Sequence, residues 1–173
     1  SLSIDSRTGS MTELSETLAL CESMMDHADA LAPEVSSWSV GQHLEHILIV
    51  ASGFAVALAS GRRPAPERRT SDAAEREQRY SKQSVLVHGR IPRGTIKVPP
   101  AGEPSGALDS NALRRLLAKT ESRLERSRQV PETTLAYHPL MGELTRNEVF
   151  RFLEVHTRHH LVIIDEILAE HAR

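Results

Sequence analysis

The stretch "WSVGQHLEHILIVASGFAVALASG", residues 38–61, constrains this chain more than any other. From Ile47 to Leu58 it is apolar nearly all round, so a helix built there has no face to give to water and must be buried. Its ends are marked. Ser39 is a candidate N-cap, Gln42 stands three residues later as in a capping box, and Gly61 is a C-terminal stop. Three other segments carry helical periodicity and can cover this helix. "MTELSETLALCESMMDHADALAP" repeats Met11, Leu14, Leu18, Cys21, Met25 and Ala28 at spacings of three and four, and Pro33 closes it. "DSNALRRLLAKTESRLERSR" places Leu113, Leu116, Leu117 and Leu124 on one side, with a charged opposite face that suits solvent. The last runs from a cap at Thr145 through "RNEVFRFLEVHTRHHLVIIDEILAEH".

Between the second and third of these helices the pattern breaks for residues 62–107, through "RRPAPERR", "SDAAEREQRYSKQ" and "GRIPRGTIKVPPAGEPSG". Proline and glycine mark a long connection, with one short helix expected around residues 72–83. A connection of this length is usually functional or mobile, and it permits a crossover between helices pointing the same way. "SVLVHG" and "TIKVPP" could form short extended pieces, but no segment reads convincingly as a strand and nothing repeats. The expected fold is all-α: a four-helix bundle with a long crossover connection between helices 2 and 3. Residues 11–173 form its single domain, and the polar, patternless residues 1–10 read as a tail or an expression scar.

Composition excludes several classes of function. The 173 residues suit one domain with a substantial core. A formal net charge of -2, with only 1 Trp, 2 Tyr and 3 Phe, gives no basic footprint and few rings to stack on bases, so no nucleic-acid partner is expected. No apolar run is read as a membrane span, and no secretory signal is seen, so no membrane partner is expected. The single cysteine, Cys21, cannot form an internal disulfide, which favours a reducing cytoplasm. On its helix it reads as a small packing residue.

The chemistry is concentrated in "EVHTRHHLVII", residues 154–164. On a helical wheel Val149, Phe152, Leu153, Ile163, Ile164 and Ile167 define an apolar stripe, and His156 and His160 fall within roughly 20° of its middle. His159 sits on the flank. Buried imidazoles need hydrogen bonds or a metal, and an i, i+4 pair lets two rings reach one ion. Two ligands are too few, and the candidates for a third are His43 and His46 on the second helix. The wheel slightly favours His43, but a helix apolar on all sides leaves both open. His27, His88, His138 and His171 read as surface or loop residues. No confident general base is visible: Glu148, Tyr137 and His138 lie near the histidine face or lead into it, and each reads as structural.

"WSVGQHLEHI" on an early helix, followed far downstream by "HPLMGELTRNEVFRFLEVHTRHHLVIIDEIL", resembles the DinB-like (DinB/YfiT-like) metalloenzyme superfamily. "IPRGTIKVPP" is similar to the Pro-rich loop of one branch whose function is unassigned. The resemblance implies the same bundle with its long crossover. It also implies three histidine ligands, one from the second helix and an H-x-x-x-H pair from the last. That assigns the metal to His46, His156 and His160, against the mild preference of the wheel, with His43 kept as a supporting neighbour or substitute ligand and His159 as a flanking neighbour.

Three imidazoles with an open position suit Zn²⁺ or Ni²⁺, with Fe²⁺ and Mn²⁺ also compatible. In characterised branches of the family that position activates the sulfur of a low-molecular-weight thiol, in thiol S-transferases and in thiol-dependent isomerases. The resemblance therefore implies a metal-dependent thiol S-transferase acting on a small electrophile, and a homodimer. The alternative is a non-catalytic protein whose metal ties two helices together, which needs a fourth protein ligand. One departure stands out: many members follow the double histidine with Arg-x-Gln, where this chain has Leu161 and Ile163. Metal release is expected below pH ~6.5, where free imidazoles protonate.

Overall fold

Side-chain caps open the long elements. The computed structural model describes residues 6–61, 71–94 and 96–173. Among these, α-helices span Ser6–Met24 (α1), Val40–Ser60 (α2), Asp72–Leu86 (α3), Ser110–Ser127 (α4) and Arg146–His171 (α5). Ser39 and Gln42 close a reciprocal capping box on α2, and Thr145 and Glu148 close another on α5. Ser71 and Asp109 cap α3 and α4 through the amides of Ala74 and Ala112. Each such cap stabilises its helix by about 1 kcal/mol. Gly61 ends α2 in the left-handed conformation, at φ 63°.

Helix α2 packs against α4 and α5, and α1 packs against α5. Helix α2 is not covered on every side as its sequence suggested: Leu44, Ile47, Leu48, Ala51 and Ala55 are wholly buried, whereas Val56 is 45% exposed. Thr120 reaches the carbonyl of Leu48 and Arg123 reaches the hydroxyl of Ser52, so residue numbers rise together and α2 and α4 run parallel. That geometry is the expected crossover, since parallel neighbours cannot be joined by a tight turn. By contrast His43 meets His160 and His46 meets His156, so α2 and α5 are antiparallel.

By length and composition α2 could cross a membrane, which the sequence reading does not allow for; 56% of its apolar window is buried within this protein. Cys21, on α1, is wholly buried, and burial pushes its thiol up to about 12.

The structure departs from the sequence expectation in four places. Leu135–His138 (β1) and Gly142–Thr145 (β2) form an antiparallel hairpin just before α5, where no strand was expected. Helix α3 extends to Leu86, so the start of "SVLVHG" is helical rather than extended. The described part of "TIKVPP", residues 96–100, joins no strand pair and ends in a 3-10 turn over Pro100–Gly102. Helix α1 ends at Met24 with a 3-10 turn at Met25–His27, short of Pro33. The tight path there needs Gly41, whose added Cβ would lie 2.9 Å from the Ala28 carbonyl oxygen. Of the expected tail, residues 1–5 lie outside the described residues and α1 begins at Ser6; residues 62–70 of the connection also lie outside.

Candidate metal centre

Two spacings and one antiparallel crossing build the site. His43 and His46 are three apart on α2, and His156 and His160 are four apart on α5, so each pair shares a face. The crossing sets His46 Nε2 3.0 Å from His156 Nε2, and His43 Nδ1 2.9 Å from His160 Nδ1. One candidate ligand atom from each of His46, His156 and His160 can be chosen so that all three lie within 4.8 Å of one another. Their side chains are buried, and the ring of Trp38 packs over His46, His43 and His160 at centroid distances of 5.1, 5.3 and 6.3 Å. His159, half-buried, touches only the edge of the group, with its ring 5.1 Å from that of His160.

The proton arrangement follows from the hydrogen bonds. His46 Nδ1–H donates to the Gly102 carbonyl at 2.6 Å, which leaves the Nε2 lone pair facing His156. Two Nε2 atoms 3.0 Å apart need either a proton or a cation between them. Nitrogens sharing one tetrahedral Zn²⁺ at its usual bond length lie about 3.3–3.4 Å apart, so these two would separate by a few tenths of an ångström to share one. Among the described residues, His156 Nδ1 is the buried side-chain nitrogen or oxygen without a hydrogen-bond partner. Because Nε2 of the same ring is the atom that faces His46, this orphan nitrogen does not itself locate an ion.

Electrostatics keep the rings neutral, the form that binds metal. Burial, and then the charges of His46, His159 and Arg93, push His43 down to about 4. Burial lowers His46, partly offset by its bond to Gly102. Burial and the neighbouring histidines drive His156 and His160 well below the ordinary value. Burial, and then Arg93 and His46, lower His159.

Around the three rings stand partners that the sequence did not reveal. Ser36 Oγ lies 2.9 Å from His43 Nε2 and accepts the Trp38 backbone N–H at 3.2 Å. The carbonyl of Gly102 arrives from the long connection, fifty-six residues from His46. Trp38 was visible as the first residue of its motif, but a lone serine and a backbone carbonyl carry no signal in a single sequence.

Other candidates fall elsewhere. His138 is not a surface or loop residue: it lies in β1, its ring between those of Phe54 and Phe152, and its Nδ1 accepts the amides of Leu140 and Met141. Glu148 closes the α5 capping box and pairs with Lys82 at 3.2 Å, a structural role. Tyr137 lies in β1 opposite Glu143. Leu161 and Ile163, where Arg-x-Gln was the family pattern, are buried apolar residues.

The family model described as the DinB superfamily matches residues 12–164, which include all three histidines and the helices that carry them. The chain belongs to the DinB superfamily. No curated protein and no solved structure matches it. Within this DinB protein the cluster of His46, His156 and His160 is compatible with metal binding, as its three neutral, convergent donors indicate.

Proposed function

We propose that this DinB protein is a divalent-metal-dependent thiol S-transferase that joins a low-molecular-weight thiol to a small electrophile, built on a four-helix bundle of α1, α2, α4 and α5. The observation that carries the reading is the donor set. Three neutral imidazoles from α2 and α5 converge, and among the described residues no carboxylate or thiolate joins their group as a fourth ligand. Three protein ligands with a further position open to substrate is the pattern of catalytic rather than structural zinc sites. Zn²⁺ or Ni²⁺ suits the donors best, and Fe²⁺ or Mn²⁺ is compatible. When bound, such an ion supplies Lewis acidity that lowers the pKa of a coordinated thiol and makes thiolate available at neutral pH.

The protein's own residues have definable tasks. His46, His156 and His160 hold the ion. Gly102 O keeps the proton of His46 on Nδ1. Trp38 packs over the rings and shields them from water, which strengthens the electrostatics of the site. A purely structural metal tying α2 to α5 is disfavoured because His43, the obvious fourth ligand, is engaged with His160 and Ser36.

The deciding measurement is metal content by elemental mass spectrometry, with His156→Ala run in parallel. About one ion per chain, lost in the variant, is expected. Thiols are then screened against small electrophiles for adduct formation that depends on the ion. No metal in either sample after incubation with Zn²⁺ or Ni²⁺ would overturn the reading.

A further inference from the structure

Glu45 is a carboxylate at 6% exposure on α2, one residue before His46, and the metal chemistry leaves it unused. It is turned to the long connection. Its Oε1 accepts the backbone N–H and the hydroxyl of Ser105, both at 2.8 Å, and its Oε2 accepts the Gly106 N–H at 3.1 Å. Hydrogen bonds to a carboxylate are stronger than neutral ones. At the other end of the same short segment Gly102 O accepts the proton of His46 Nδ1. Two consecutive side chains of α2 therefore grip residues 102–106 at two points.

Little else fixes that segment. Beyond the turn at Pro100–Gly102 it has no regular structure before α4, and Ser105, Gly106 and Ala107 are exposed. Its contact with the ligand is close by design of sequence. A Cβ at Gly102 would meet Val98 Cγ1 at 3.3 Å, which would have to give by a few tenths of an ångström, and would lie in ordinary contact with His46 Cε1 at 3.6 Å.

We propose that Glu45 is a positioning residue of the metal centre: it clasps the Gly102–Gly106 segment onto α2, so that docking of the segment and occupancy of the three-histidine site are thermodynamically coupled. The proposal rests on the metal reading above. With the segment docked, the His46 proton is held on Nδ1 and the Nε2 lone pair faces His156. With the segment away, that acceptor is gone, the ring is free to rotate and exchange tautomers, and only a fraction of molecules presents a ligand-ready Nε2. Apparent affinity falls with that fraction. The converse holds because binding linkage is reciprocal. An ion at Nε2 requires the proton on Nδ1, and that proton holds the Gly102 carbonyl in place.

The test uses the full chain and Zn²⁺. Affinity is measured by competition with a chromophoric chelator, and amide hydrogen exchange at Ser105 and Gly106 is followed with and without Zn²⁺. Zn²⁺ should slow exchange at both amides in the wild type. Glu45→Gln keeps an acceptor for Ser105 but sets an NH₂ group against the Gly106 N–H. It should bind Zn²⁺ about 10-fold more weakly, the low end for partners outside the ligand set, and lose most of the Zn²⁺-dependent protection. Ser105→Ala removes one hydroxyl donor and should shift both readouts less, in the same direction, and it serves if the first variant does not fold. Wild-type protein that binds Zn²⁺ without protecting these amides, or variants that bind as tightly as wild type, would overturn the coupling alone. A wild type that binds no Zn²⁺ would remove the metal reading and the coupling with it.

Discussion

At the scale of single residues, the orientation of His160 is decided by a chain of three groups. If the Nε2 of His160 is to meet an ion, its Nδ1 must carry the proton and donate it to His43 Nδ1 at 2.9 Å. His43 then carries its own proton on Nε2 and donates to Ser36 Oγ at 2.9 Å. The reverse direction leaves His160 Nε2 protonated and unable to bind. His43 is thus an orienting partner. Its conversion to Ala should weaken metal binding by ~10–100-fold, as for other partners of ligand histidines, while X-ray absorption still counts three imidazoles on the ion. A drop to two would show His43 to be a ligand itself. The sequence made this distinction hard for a physical reason. His43 and His46 are three apart and both face α5, so periodicity could place the pair but not rank its members. Only the crossing register, which depends on α5 far along the chain, pairs one with His156 and the other with His160.

At the scale of elements, the helices were legible because their caps and periodicity are local, whereas the hairpin was not. β1 and β2 are four residues each, and "LAYH" and "GELT" are too short for alternation to register. Their pairing, Leu135 with Thr145 through His138 with Gly142, is the first contact to establish them as strands. The hairpin also holds His138 half-buried against Phe54 and Phe152, and the partial loss of solvent pushes its imidazole down to about 4. Between pH 6.5 and 4 the unfolded chain therefore takes up a proton at this ring that the folded chain does not. Stability rises with pH where the unfolded state binds more protons, so stability is lost as pH falls through that window. His43, also near 4, acts in the same sense. Thermal melts of chelator-treated protein should show Tm falling from pH 6.5 towards 4. His138→Asn, whose side-chain oxygen can still accept the Leu140 and Met141 amides, should show a shallower slope. An unchanged slope in that variant would remove His138 from the account. The same buried neutrality means that protons compete with metal less at pH 6 than free imidazoles would, so release should occur lower than the pH ~6.5 read from sequence.

At the scale of the whole molecule, the question is whether the ion holds the fold together or is held by it. The wholly buried apolar residues come from every helix around the site: Leu14 and Leu18 from α1, Leu44 and Leu48 from α2, Leu113 from α4, Ile164 and Ile167 from α5. A core shared this widely does not depend on two helices being bridged by metal, unlike small domains that unfold without their zinc. The metal-free protein should therefore remain folded. Metal binding to the folded state alone then adds stability by mass action, about 2.7 kcal/mol at a free concentration 100 times Kd. For a chain of this size that corresponds to a Tm increase on the order of 5–10 °C. His46→Ala, which removes the one proposed ligand on α2, should abolish the increase while leaving a cooperative melt. Collapse of the wild type on chelation would instead favour the structural reading, because the ion would then be supplying a tie between α2 and α5 that the shared core does not. The parallel α2–α4 pair offers an internal control. Its contacts through Thr120 and Arg123 lie on the side of α2 away from the histidines' partner helix, so hydrogen exchange there should respond to global stability and not to the ion directly.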